Sequence, residues 1–166
     1  MNREILFRGK RVDNGEWVYG YLFDDGYQNP RHVFVGSLII DEYKGTACDE
    51  WDIKGIDFCD VKQNTICQYT GLTDKNGKKI FEGDVVKDSA GVCGEVKFGL
   101  YESGFIIPDI NQGFYIEFSE ESLYRKELGY WGNKVVVIGN IYDKSEQQKD
   151  QRSTIIYRDF MKKGMM

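Results

Sequence analysis

QYTGLTDKNGKKIFEGDVV, residues 68–86, contains the strongest turn signals of the sequence. Short extended runs alternate in it with two turn signals, which is typical of strands joined by tight connections. Asn76-Gly77 predicts the first turn, because both residues adopt positive φ at low cost. Glu82-Gly83-Asp84 predicts the second, in which Asp84 is expected to accept a backbone hydrogen bond of the Asx type. The strands predicted around these turns are Thr65–Thr70, Lys79–Phe81 and Val85–Lys87.

The sequence on both sides of this stretch also predicts strands. Asp13-Asn14-Gly15 indicates a hairpin turn between strands at Glu4–Arg8 and Glu16–Phe23. Lys134–Tyr142 contains the unbroken apolar run Val135-Val136-Val137-Ile138, which predicts a strand at the centre of a sheet, buried on both faces. The other predicted strands are His32–Ile40, Val92–Phe98 and Gly113–Ser119.

The order of these signals favours a mainly β protein. A Gly-Asp pair before an apolar strand, followed by a glycine turn and a return strand, is how small SH3-like barrels often open. The predicted fold is therefore an SH3-like roll or barrel with additional antiparallel strands and a short C-terminal helix. Asp41–Asn64 shows no clear periodicity and is expected to be irregular, with one short strand near Trp51–Ile56. Ser119–Leu128 is expected to hold one helical turn, capped by Ser119 or Ser122.

The composition changes after Tyr142, where we expect a β domain, residues 1–142, to give way to a tail, residues 143–166. The tail contains six basic and four acidic residues, so it is positive, whereas the whole chain has a net charge of −5. The spacing of Ile156 and Phe160 predicts that the tail is partly helical. We expect the tail to be dispensable for the fold and to matter for association.

The charge and the composition argue against duplex binding and against a membrane span. A net charge of −5 argues against a duplex-binding domain, whose affinity comes largely from neutralised phosphates. The sequence has no apolar run of the roughly 20 residues that a membrane span needs. We expect a cytoplasmic protein with reduced thiols. The cysteines, which are expected to be small buried or half-buried side chains, are Cys48, Cys59, Cys67 and Cys93.

Candidate catalytic residues are few. His32 could act as a general base, but a base needs a nucleophile and an orienting acid nearby, and neither is indicated by a motif. One histidine and no close cysteine pair make a metal site improbable. Phosphate-binding glycine loops are absent from the sequence. We therefore expect no enzyme, no cofactor and no metal. The acidic residues are expected to form a solvated surface: Asp24, Asp25, Asp57, Asp60, Asp84, Glu120 and Glu121.

Two surfaces are candidates for binding. Trp17, Tyr19, Tyr21 and Phe23 alternate along one strand and share a face, which we call the aromatic stripe. Such a stripe can anchor a protein interface or, with basic neighbours, stack nucleic-acid bases; the alternative is one side of a β core. The basic neighbours are Arg8, Lys10 and Arg11. The second candidate is an exposed recognition loop, whose residues are Tyr69, Asp74, Lys75, Asn76 and Lys78.

Three stretches of the sequence resemble the YopX family. They are REILFRG at residues 3–9 continuing into GEWVYG at 15–20, the central stretch at 68–86, and VIGNIY at 137–142. The resemblance implies a mostly β fold with an SH3-like roll, carried by phages and prophages of Gram-positive bacteria. It implies no activity and no catalytic residues.

The resulting hypothesis is a non-enzymatic phage or prophage accessory protein of unknown biochemical role. It would bind an unknown phage or host protein, or associate with itself as a homo-oligomer. The alternative is a nucleic-acid-binding module that uses the aromatic stripe with Arg8, Lys10 and Arg11.

Overall fold

The computed structural model describes residues 4–26, 32–44, 50–103, 109–119 and 125–143. These residues form ten strands in two antiparallel sheets, so the prediction of a mainly β protein is confirmed. The sheets are open in the part of the chain that is described, and no closed barrel is formed there. The chain divides into two compact units, Met1–Gly71 (unit 1) and Leu72–Met166 (unit 2). The predicted boundary at Tyr142 is untested and stays a prediction.

Unit 1 contains five strands, of which the last crosses into unit 2. Its elements are β1 (Phe7–Lys10), β2 (Trp17–Asp24), β3 (Val33–Lys44), β4 (Glu50–Asp60), a 3-10 helix (Gln63–Thr65) and β5 (Cys67–Thr73). The strand order of this sheet is β4-β3-β2-β1-β5-β6, in which β6 is Lys79–Phe81 and belongs to unit 2. The predicted hairpin is confirmed, with Phe7 opposite Gly20, Lys10 opposite Trp17 and a φ of +74° at Gly15.

β3 leaves β2 at a point where two glycines meet. The pairing of β2 with β3 ends at Tyr21 opposite Gly36. A Cβ on Gly20 would lie 2.2 Å from the carbonyl oxygen of Gly36, and one on Gly36 would lie 1.9 Å from that of Asp57. No side chain fits at either position. The two glycines therefore let the backbones cross while β3 continues away with β4.

β4 is a long strand where an irregular segment was expected, and that prediction is wrong. Glu50–Asp60 pairs with β3 from Phe34 opposite Asp60 to Lys44 opposite Glu50. The register shifts between Ile39 and Ile40 and again before Glu42. These irregularities, together with the polar residues and Gly55 in the partner strand, break the period of two that a regular strand shows in sequence. The pairing with β3 determines the structure of this segment.

The core of unit 1 is small and lies on one face of its sheet. Val33, Val35 and Val61 are buried, with Val18 and Ile66 packed against them. The end of β4 is tied to the end of β1, because Val12 N–H donates to the carbonyl of Asp60 at 3.0 Å. Among the side chains of unit 1 that the structure describes, this core cluster therefore has few members.

Unit 2 has a four-stranded sheet of order β10-β7-β8-β9. Its elements are β6 (Lys79–Phe81), β7 (Asp84–Lys87), β8 (Cys93–Ser103), β9 (Asp109–Phe118), α1 (Leu128–Trp131), a 3-10 helix (Gly132–Lys134) and β10 (Val136–Asn140). Its buried core is larger than that of unit 1. The buried members are Ile80, Val86, Val96, Ile116, Leu128, Val135 and Val137, with Leu72, Phe114, Phe118 and Trp131 packed around them.

β10 lies at the edge of its sheet, so the prediction of a central strand buried on both faces is wrong. It pairs with β7 alone among the described strands, and its register shifts between Val137 and Gly139. Val137 is buried, whereas Ile138 is 50% exposed. Val135 precedes the strand and follows the 3-10 helix. The apolar run is therefore divided between a loop and a one-sided edge strand, which sequence hydrophobicity alone does not distinguish.

The helical segments are short. α1 lies at Leu128–Trp131, at the end of the region predicted to hold a helical turn; Ser119 is a bend, and Ser122 lies outside the described residues. Residues 141–143 are helical. The helix predicted for the tail lies outside the described residues. Cys59, Cys67 and Cys93 are free thiols, buried or half-buried as predicted, and Cys48 lies outside the described residues.

Candidate functional site

The register of β2, β3 and β4 places eight large apolar side chains on one face of unit 1, which we call the aromatic face. Phe23 lies opposite Phe34, and Leu38 lies opposite Ile56, so the aromatic stripe continues across two further strands. Residues directly opposite each other in an antiparallel pair share a face. The members are Trp17, Tyr19, Tyr21, Phe23, Phe34, Leu38, Ile56 and Phe58.

Most of the aromatic face is accessible to solvent. Five of its side chains are 45–63% exposed, namely Tyr19, Tyr21, Phe23, Leu38 and Ile56. The rings of Phe23 and Phe58 meet edge to face with their centroids 4.3 Å apart, so these two members of the face contact each other directly. The core of unit 1 lies on the opposite face. For Tyr19, Tyr21 and Phe23 the alternative, that the stripe is one side of a β core, is therefore wrong, whereas Trp17 is half-buried.

Sequence reasoning missed half of this face. Phe34 and Leu38 lie in a strand that was predicted, and their spacing was the available signal. Ile56 and Phe58 lie in β4, which was expected to be largely irregular. The cross-strand register that aligns them with β2 depends on where β3 pairs, and no local sequence pattern specifies it.

Arg8 and Lys10 do lie beside the stripe, but they are buried, 6% and 4% exposed. The guanidinium carbon of Arg8 lies 4.6 Å from the centroid of the Trp17 ring, and Lys10 Nζ lies 5.5 Å from it. At these distances both cations interact with the electron-rich face of the indole. Because they are buried, Arg8 and Lys10 do not present an exposed cationic surface beside the stripe.

Arg11 is engaged by a neighbour. Its Nε and a terminal nitrogen donate to the two carboxylate oxygens of Asp13, at 2.9 and 2.5 Å. This hydrogen-bonded pair raises the pKa of Arg11 and lowers the pKa of Asp13. In this bidentate pair, Asp13 occupies the two N–H donors with which Arg11 would otherwise bind a phosphate. The placement of Arg8, Lys10 and Arg11 does not favour the nucleic-acid alternative.

Asp74 is a structural residue of the central turn, and its expected place in an exposed recognition loop is wrong. It is 3% exposed. One carboxylate oxygen accepts from the N–H groups of Asn76 and Lys78 at 2.8 and 2.9 Å, and the other accepts from Val137 N–H at 3.0 Å. Burial raises the pKa of Asp74, but these three hydrogen bonds and the charge of Lys78 outweigh burial and hold the pKa below its ordinary value.

The other loop residues divide between core and surface. Tyr69 is buried, so its expected exposure is wrong. Lys75, Asn76 and Lys78 are exposed, as a recognition loop would require. The backbone N–H of Lys75 donates to the carbonyl oxygen of Val135 at 3.0 Å. This hydrogen bond holds the turn against the segment before β10. The predicted turn is confirmed, with a φ of +81° at Gly77.

Asp84 was expected to lie on a solvated acidic surface, and that prediction is wrong. It is buried, and its carboxylate accepts from the N–H of Phe81 at 2.8 Å and from the amide of Asn140 at 3.4 Å. The bonded backbone N–H precedes Asp84 in sequence, so the contact is not the expected Asx turn. Glu120 and Glu121 lie outside the described residues.

His32 pairs with Asp60 at the margin of the aromatic face. The ring Nδ1 lies 3.0 Å from the carboxylate, and both side chains are partly exposed. The hydrogen bond with Asp60 raises the pKa of His32; burial opposes it, and the charges of Asp60 and Asp25 add to it. An exposed His–Asp pair provides an oriented base but no nucleophile.

Unit 2 has an open cleft of about 320 Å³ on β8 and β9. The rings of Tyr101 and Tyr115 stack there with centroids 5.3 Å apart. Burial, and then the charge of Glu127, raises the pKa of Tyr101. Glu117, also at the cleft, is paired with Lys97. The stacked tyrosines and the paired charges at this cleft do not indicate which class of ligand it would bind.

The residues that the structure describes contain neither a metal-binding cluster nor a membrane-spanning helix. No three His, Cys, Asp or Glu side chains there converge as a metal site requires. None of the helices in this part of the chain has the length and apolar character needed to cross a membrane. The expectation that the protein needs no metal stays a prediction.

Comparisons with known proteins agree with the residue patterns. The chain is similar to the crystal structure of protein EF1440 from Enterococcus faecalis, with a TM-score of 0.48 and 23% identity over 88% of this chain and 99% of that one. No curated protein matches the sequence. The model of the YopX protein family matches residues 6–148, which include all ten strands described above. The chain therefore belongs to the YopX family.

Proposed function

We propose that this protein is a non-enzymatic accessory protein of a phage or prophage, and that it acts by binding a protein through the aromatic face. The observation that carries the proposal is the exposure of five apolar side chains aligned by register on β2, β3 and β4. Contiguous apolar patches on protein surfaces are often functional. Tyrosine and phenylalanine are enriched at the centres of protein interfaces.

The phage setting rests on what membership of the family implies. We also propose that the protein works in the cytoplasm, which the free thiols of Cys59, Cys67 and Cys93 support. The absence of an enzymatic role is part of the same proposal. It is supported by the positions of the candidate catalytic residues, since His32 pairs with Asp60 at an exposed margin and Asp84 is buried in a structural contact.

An SH3-like roll is the architecture we propose for unit 2. The order β10-β7-β8-β9 places the first strand of the sheet between the second and the last, and a 3-10 helix precedes β10. Both features are typical of SH3-like folds. Since fold does not specify function, this part of the proposal adds no activity.

Affinity capture with matched variants tests the proposed function. The tagged full chain, its Tyr21→Ser variant on the aromatic face and its Leu100→Ser variant in unit 2 are each exposed to lysate of a phage-infected host that also expresses the untagged chain. We expect a protein to be retained by the wild type and by Leu100→Ser but lost with Tyr21→Ser. Leu100 is a fair control because it is 69% exposed and lies on a different unit.

Two results would count against the proposal. Identical sets of proteins retained by all three chains would remove the aromatic face from any binding role. Salt-sensitive binding of single-stranded DNA or RNA, weakened by Trp17→Ala, would instead support the nucleic-acid alternative.

A further inference from the structure

We infer that the occupant of the aromatic face is a second copy of this chain, docked face to face about a two-fold axis. The inference rests on the proposed function, because it identifies the partner of the same surface. It follows from three properties of unit 1, namely the extent of strand pairing, the apolar area and the distribution of charge.

Strand pairing leaves part of β3 and β4 as a ribbon of two strands. β2 pairs with β3 only from Asp24 opposite Val33 to Tyr21 opposite Gly36. Beyond Gly36, within the described residues, β3 pairs with β4 alone, up to Lys44 opposite Glu50. An isolated two-stranded ribbon is marginally stable in water and needs an apolar surface to pack against. Leu38 and Ile56 lie on this ribbon and are exposed.

The exposed apolar area is that of one side of a stable dimer. Five side chains are each about half exposed, and an aromatic side chain presents roughly 200 Å², so the face offers roughly 400–500 Å². A standard interface buries roughly 800 Å² on each partner, of which a little over half is apolar. The aromatic face therefore supplies roughly the whole apolar part that one subunit must contribute.

The distribution of charge favours a second copy over a charged partner. Among the side chains of unit 1 that the structure describes, the five exposed members of the aromatic face are uncharged, and the cations beside them, Arg8 and Lys10, are buried against Trp17. At the margin of the face, His32 and Asp60 contact each other. A two-fold interface brings each patch against its own copy, so it requires a self-complementary surface. An uncharged aromatic surface meets this condition, because ring edges and faces of two copies can alternate.

Sedimentation of the full chain over a concentration series tests the inference. We expect the wild type to be a dimer in reversible equilibrium, and the dimer to persist in high salt because its contacts are apolar. Ile56→Glu places a charge at the contact and is expected to raise the dimer dissociation constant by at least about 30-fold. Leu38→Ser is a milder variant for the case in which Ile56→Glu does not fold. Ile138→Glu is the control, since Ile138 is equally exposed on unit 2, and should leave the constant unchanged.

The outcomes separate this inference from the proposed function. A wild type that is monomeric at every concentration, or a dimer that neither aromatic-face variant weakens, overturns the inference. If that monomer still captures another protein, and Tyr21→Ser abolishes the capture, the proposed function stands with a different partner. If the chain neither dimerises nor captures a protein through this face, both fail.

Discussion

Among the side chains that the structure describes, unit 2 has the larger buried core, whereas unit 1 carries a face of large apolar side chains that is mostly exposed. Within the described residues, seven buried side chains form the core cluster of unit 2 and three form that of unit 1. Both units have alternating strands and a long hairpin, β3–β4 in one and β8–β9 in the other. Alternation of apolar and polar residues therefore identifies the two faces of a strand but not which face is covered. We therefore expect the stability of unit 2 to depend on its buried side chains, and that of unit 1 to depend on the glycines at which its strands cross.

The largest expected effect is the loss of a core side chain in unit 2. Ile116 is fully buried between Val96 and the rest of the core, so Ile116→Ala removes apolar contacts and leaves a cavity. We expect the free energy of unfolding to fall by about 2–5 kcal/mol, measured by urea denaturation. Ile138→Ala is the matched control, with an expected change below about 1 kcal/mol. Equal losses of unfolding free energy for the two isoleucines would contradict the burial of Ile116 and the exposure of Ile138.

A slightly smaller effect is expected from Asp74→Asn, which replaces one acceptor oxygen with an amide. The N–H group of Val137 or the pair from Asn76 and Lys78 then loses its partner, at a cost of about 1–3 kcal/mol for each unsatisfied group. We expect the melting temperature at neutral pH to fall, whereas Asp57→Asn, at an exposed carboxylate, should leave it unchanged.

The pH dependence of the Asp74 effect has a definite sign. Because the folded pKa of Asp74 lies below its ordinary value, its stabilisation is present above about pH 4 and is lost as the pH falls through the lowered pKa. The gap in melting temperature between wild type and Asp74→Asn should therefore narrow in acid. A gap that is constant down to strongly acidic pH would show that ionisation of Asp74 is not involved.

Gly36→Ala should disturb unit 1 at the point where β3 leaves β2. The added Cβ would overlap the carbonyl oxygen of Asp57, so the strands must separate, at a cost of about 1–3 kcal/mol. We expect faster amide hydrogen exchange in β2 and β3, with β7 and β8 unchanged. Gly113→Ala is the control, because a Cβ there meets open space. Accelerated exchange in β7 and β8 alone would contradict the contrast between the units.

The smallest expected effect concerns His32, the single histidine of the chain, whose ring resonances can be followed directly by NMR. Its pKa should lie above the ordinary value of about 6.5 and return towards it in Asp60→Asn, because the neutral amide no longer provides the carboxylate that stabilises the protonated imidazole. The raised pKa means that the pair stabilises the fold fully below about pH 6.5 and ceases to do so as the pH rises through the folded value. An unchanged titration in Asp60→Asn would show that the pair does not form in solution.

The local elements were predictable because their signals are local. The turns at Gly15 and Gly77 follow from residues that adopt positive φ, and the structure confirms both. The aromatic stripe follows from alternation along β2. β4 was largely missed because its structure depends on pairing with β3 across a register shift, and β10 was placed wrongly because an apolar run looks the same at the edge and at the centre of a sheet. The burial of Asp74 was missed because one of its partners, Val137, is 63 residues away.

The position of β10 beside β7 has a consequence for synthesis of the chain. Val86 pairs with Val137, so about 50 residues must be added after β7 before its outer neighbour exists. At roughly 5–20 residues per second this interval lasts roughly 3–10 s. During that time β7 and β8 can form their hairpin, but the contacts that Val135 and Val137 make with the core are missing. Unit 2 therefore completes its fold only after nearly all of its described residues have been translated, and until then its apolar face is open to chaperones or to aggregation.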